Sequence, residues 1–86
     1  MSEITYYVVQ PFEHSERGLI VRQAREVHGG PDAARALARR LSAKGGAIAF
    51  SRTGNPSAGE FADAELLGVF GDVPEDAADL AAAAAG

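Results

Sequence analysis

Arginine is the residue whose placement here could do chemistry. Arg35 and Arg39 stand one helical turn apart with Arg40 nearby, and Arg22, Arg25 and Arg52 could lie on neighbouring elements. A helix face of arginines contacts phosphate oxygens and positions a nucleic acid without reading its sequence. A tyrosine of the Tyr6-Tyr7 pair, set on an open sheet face, would stack a base. Arg22, Arg35, Arg39, Arg40 and Arg52 are therefore the candidate polyanion contacts. An ordinary solvated helix face has the same composition, and no RNP-like, zinc-finger or GXXG signature accompanies the cluster. Nucleic-acid binding is kept as the runner-up reading.

Other reactive types are sparse. His14 and His28 are the only histidines, and neither has a companion at metal-ligand spacing. Glu13, His14, Ser15 and Glu16 offer oxygen and nitrogen atoms, but adjacency alone is no zinc set. Ser15 beside His14 is no triad, since a triad needs a geometry that neighbouring residues do not supply. Gly29-Gly30-Pro31 precedes a helix, yet Asp32 in its first turn would repel an anion there. Lys44-Gly45-Gly46 follows that helix rather than opening it and is no phosphate loop. No catalytic residue, cofactor site or metal site is assigned, and an enzyme is the least favoured class.

Charge is segregated along the chain. The net charge of −4 over 86 residues hides a basic centre: all eight basic residues lie between Arg17 and Arg52, opposed there only by Glu26 and Asp32. The stretch after it carries seven acids and no base. The overall sum argues weakly against nucleic acid, and the centre alone leaves it open. With no cysteine, disulfides, thiol catalysis and cysteine-ligated zinc are excluded. The start lacks the basic and apolar regions of a signal peptide, and no apolar run approaches a membrane helix, so no membrane partner and a cytoplasmic location are expected.

The elements that must position these residues follow from periodicity. Ile4 to Val9 is rich in β-formers and predicts a strand limited by Pro11. Phe12 to Gly18 reads as a turn and Gly18 to Gln23 as an antiparallel return. Ala24 to Gly30 either prolongs that strand or links onward. Pro31 and Asp32 suit a helix start, and Ala34, Leu37, Ala38 and Leu41 recur at helical spacing through Lys44, with Gly45 as the terminating glycine. Ala47 to Arg52 predicts a third strand, Thr53 to Gly59 a loop, and Phe61 to Phe70 a fourth strand ended by Pro74. In that last strand Leu66, Gly68 and Phe70 would share one face and Leu67 and Val69 the other. The expectation is one α+β domain over residues 1–74, a four-stranded antiparallel sheet with one helix on one face, in the order β-β-α-β-β. Residues 75–86 read as a disordered or weakly helical acidic and alanine-rich tail, which could also screen the basic helix face.

One short helix cannot cover four strands. Several strands carry apolar residues on both faces, so the sheet face opposite the helix is expected to need a partner. Tyr6, Tyr7, Val9, Leu67 and Val69 are the candidate interface, and self-association is the commonest way to cover such a face. The leading reading is a small accessory or protein-interaction domain, possible as a homodimer.

The segments Tyr6-Tyr7-Val8-Val9-Gln10-Pro11-Phe12 and Ala43-Lys44-Gly45-Gly46-Ala47-Ile48-Ala49-Phe50-Ser51-Arg52-Thr53-Gly54, followed by Gly59-Glu60-Phe61 and Phe70-Gly71-Asp72-Val73-Pro74, carry a further hint. Over residues 4–74 the chain resembles a family of small alphaproteobacterial proteins. That resemblance brings no activity with it, so no residue's role is taken from it. It implies a bacterial, cytoplasmic origin.

Overall fold

The computed structural model describes residues 3–76. Among these residues the fold is α+β with six strand segments and one α-helix: β1 Ile4–Ser15, β2 Gly18–Val21, β3 Arg25–Val27, α1 Pro31–Leu41, β4 Gly45–Asn55, β5 Glu60–Phe61 and β6 Glu65–Gly71. Every pairing is antiparallel. The two long strands β1 and β4 pair at the centre, from Ile4↔Gly54 to Glu13↔Gly45. β2 and β3 both lie along the outer edge of β1, and β5 and β6 along the outer edge of β4. The expected second and fourth strands are thus each one return strand with an interruption. The expected tail falls outside the described residues from position 77 onward.

The first strand does not stop at Pro11, as its missing donor suggested, but runs on to Ser15. Pro11 tolerates this because its backbone faces the gap between β2 and β3. There the Pro11 carbonyl accepts from the Arg22 N–H at 3.0 Å. The return bond, which a proline cannot make, comes from the neighbouring side chain: Gln10 Nε2 donates to the Arg22 carbonyl at 2.6 Å. Gln10 is nearly fully buried, and its amide replaces the lost ladder donor. The expected loop at Phe12 to Gly18 shrinks accordingly to Glu16 and Arg17, with Ser15 Oγ bonded to the Gly18 carbonyl and the Arg17 N–H.

The helix begins at Pro31 as expected and stops at Leu41, three residues short. Ser42–Lys44 tightens into a 3-10 turn. Gly45 is extended rather than left-handed, so it is no helix-terminating glycine. A side chain there would strike the Phe12 carbonyl. The predicted stripe is correct in detail: Ala34 and Ala38 are fully buried, and Leu37 and Leu41 pack at the margin.

Two apolar clusters lie on opposite faces of the sheet. Beneath α1, Val9, Ala47 and Ala49 meet Ala34 and Ala38, flanked by Tyr7, Val27, Leu67 and Phe70. Alanine on both sides lets the helix approach the strands closely. On the other face Phe12, Ile48 and Phe50 are buried although no helix covers them. The sheet curls around them, and Val8, Leu19, Ala64 and Val73 close over them. Gly46 and Gly71 pair where β4 and β6 meet, too tightly for a side chain on either, which carries the chain across and sets Val73 on that cluster.

A bulge changes the expected facing of the last strand. Ala49 pairs with Gly68 but Phe50 pairs with Leu66, leaving Leu67 as the extra residue. Beyond a bulge the alternation reverses. Leu66 and Val69 therefore share the face away from the helix, while Leu67 and Phe70 pack on the helix side.

Candidate functional site

The arginines grouped by sequence part company in space. Arg35 turns back onto β6, where its Nε donates to the Leu67 carbonyl at 3.0 Å. That carbonyl belongs to the bulged residue, so Arg35 satisfies a backbone acceptor that the ladder leaves unpaired. Its Nη1 also meets Asp32 at 3.0 Å. Arg39 lies over the Phe70 ring at 5.5 Å, a cation–π contact. Arg52 sits on the far face of the sheet, over the Phe61 ring at 5.5 Å. Three of the five candidate polyanion contacts thus belong to packing within the fold, and the five form no continuous face.

Arg22 and Arg40 do come together. With Arg25 and Lys44 they line a cavity of about 610 Å³ where the end of α1 and its 3-10 turn face the gap between β2 and β3. Pro11, Leu41, Ala24 and Ala43 supply the apolar part of the lining. Glu13 is the single acid on the lining, and it faces Arg22 at 3.6 Å. Arg25, Arg40 and Lys44 make no ion pair among the described residues. The site comes from three segments of local structure. The break opposite Pro11 turns residues 22–24 away from regular pairing and opens the cavity wall. The pairing Val9↔Arg25 directs Arg25 to the helix side of the sheet. The 3-10 turn brings Lys44 under the end of the helix beside Arg40.

Arg25 and Lys44 were not among the polyanion contacts chosen from the sequence. The four-residue spacing of Arg40 and Lys44 would have joined them on one helical face. Arg25 belongs to the basic set read from the sequence but not to the chosen contacts, since its position depends on the register of a three-residue strand against β1.

The expected interface residues also divide. Tyr6 lies on the face away from α1, its ring 6.0 Å from that of Phe61, and Val69 is 48% exposed on the same face. Tyr7, Val9 and Leu67 do not belong there. Alternation along β1 sends Tyr7 and Val9 under the helix, Val9 with no exposure at all, and the bulge sends Leu67 with them. The exposed apolar side chains of the open face are instead Ile4, Val21, Phe61, Leu66 and Val69. Their strand partners fix the face: Val21 opposes Phe12, Leu66 opposes Phe50 and Val69 opposes Ile48.

His14 Nε2 donates to Asp72 Oδ2 at 2.9 Å, both groups largely exposed. Among the described residues no three acidic, histidine or cysteine side chains group as metal ligands, and no helix is long and apolar enough to cross a membrane. Comparison with protein-family models, with curated proteins and with solved structures finds no match to this chain.

Proposed function

We propose that this chain is a small accessory domain that works through protein contacts, and that its partner is a second copy of itself. One observation carries the reading. Five of the six large apolar side chains that stand exposed among the described residues share the sheet face away from α1. They surround the buried Phe12, Ile48 and Phe50 cluster, so a partner would extend an existing core rather than found a new one. As full charges, the paired strand positions of that face carry only Glu26 and Arg52. The molecule measures 46 by 22 Å across its broad dimensions, ample for the roughly 800 Å² per partner of a standard interface. A two-fold pairing of identical faces closes on itself and, among the described residues, leaves only Ile20 as a large exposed apolar side chain.

Size-exclusion chromatography with light scattering, at two salt levels and across concentration, tests this. The expected result is a dimer mass insensitive to salt, reduced to a monomer by Leu66→Lys. A wild-type monomer at high micromolar concentration overturns the proposal. The absence of cysteine and the resemblance over residues 4–74 support placing the protein in a bacterial cytoplasm, which is part of the same reading. Nucleic-acid binding stands behind it, because Arg35, Arg39 and Arg52 are engaged within the fold.

A further inference from the structure

We propose that the cavity between the end of α1 and the gap between β2 and β3 is a binding site for a phosphorylated small molecule bearing at least two anionic groups. Four cationic side chains, Arg22, Arg25, Arg40 and Lys44, line one open, solvent-exposed cavity, and only Glu13 opposes them. Glu13 is occupied by Arg22, which leaves three cations for a guest. Concentrating like charge around a cavity is unfavourable in the absence of an anion. The pattern is therefore what a site for a multiply charged ligand needs, and it stands in a chain whose net charge is −4.

The helix end sharpens the ligand's chemistry. A helix C-terminus carries partial negative charge, so backbone dipoles do not hold an anion here. Binding falls to side chains, and guanidinium forks suit phosphoryl oxygens. The volume of about 610 Å³ exceeds what one inorganic phosphate fills and matches the range of small-molecule sites. Pro11 and Leu41 in the lining give an organic moiety apolar surface beside the charged groups. A nucleic acid fits less well: a polymer needs a continuous basic track, and the remaining helix arginines face β6 instead. Arg40 and Lys44 place this site at the helix side of the sheet, while Ala24 and Arg25, at the sheet edge, also line a smaller pocket beside Tyr6 and Phe61.

Isothermal titration with inorganic pyrophosphate, and separately with a short single-stranded oligonucleotide, provides the test. Wild-type protein is expected to bind pyrophosphate at one site per chain and more tightly than the oligonucleotide. Arg40→Ala and Lys44→Ala are each expected to weaken pyrophosphate binding about tenfold, the effect of losing one charge-assisted contact. Arg39→Ala removes an equal charge from the same helix outside the cavity and should leave binding unchanged. Arg40→Lys keeps the charge, loses the fork, and should fall between. Thermal melts of each variant establish that it is folded. No pyrophosphate binding by the wild type overturns the proposal. So does an Arg39→Ala loss equal to that of Arg40→Ala, or tighter binding of the oligonucleotide with an affinity that collapses between about 50 and 200 mM salt.

Discussion

The two faces of the sheet solve the same burial problem with different residues. Beneath α1 the contacts are small, alanine on alanine with Val9 between them, and an added helix excludes the water. On the open face the contacts are large, Phe12, Ile48 and Phe50, and curvature with flanking segments does the covering. A small-residue seam depends on close approach and tolerates no added volume. A large-residue cluster depends on bulk and tolerates no loss. Of the large apolar side chains described, the helix face leaves only Ile20 exposed, whereas the open face keeps a rim of five.

Opposite substitutions on the two faces should therefore be damaging. Phe50→Ala empties the centre of the open-face cluster and should cost about 3–5 kcal/mol in chemical denaturation. A loss under about 1 kcal/mol would mean that the curled face is not a true core. Ala38→Leu overfills the helix seam and should cost about 1–3 kcal/mol. If it stabilised the protein, close helix approach would be disproved. Gln10→Leu leaves the Arg22 carbonyl without its donor and should cost about 1–2 kcal/mol, near the lower end for a buried unsatisfied group. Hydrogen exchange should then rise along β2 and β3 while β4 and β6 stay protected. Val21→Lys touches only the exposed rim and should change monomer stability by no more than about 0.5 kcal/mol. It should nonetheless shift the mass in light scattering toward the monomer, and an unchanged dimer would move the interface off this face.

How far these faces could be read from the sequence depended on alternation surviving intact. The order of elements and the helix stripe were legible, because Ala34, Leu37, Ala38 and Leu41 repeat at one period without interruption. Two local events hid the rest. The bulge at Leu67 reverses the facing of β6, and no turn residue marks it; its only trace in the sequence is Gly68 next to it. The continuation of β1 past Pro11 depends on Gln10 reaching Arg22, a contact twelve residues away in sequence. The basic cavity was half legible. Arg22 and Arg40 were chosen for their charge, but Arg25 and Lys44 joined them through strand register and a 3-10 turn. Arg35 and Arg39 were misleading for a related reason: their long side chains reach the bulged strand and are used there.

The interruptions in the outer strands have a consequence for the behaviour of the chain in a crowded cell. An unbroken edge strand is a template on which a neighbouring chain can add another strand, and repetition of that step grows a fibre. Here each edge of the sheet is interrupted: β2 and β3 are four and three residues long, and the seven-residue β6 is bulged at Leu67 and separated from the two-residue β5. Neither presents a long uninterrupted row of free backbone groups to a neighbour. Strand-by-strand accretion is discouraged at both sides, and encounters between molecules are directed to the broad face, where pairing terminates after one step.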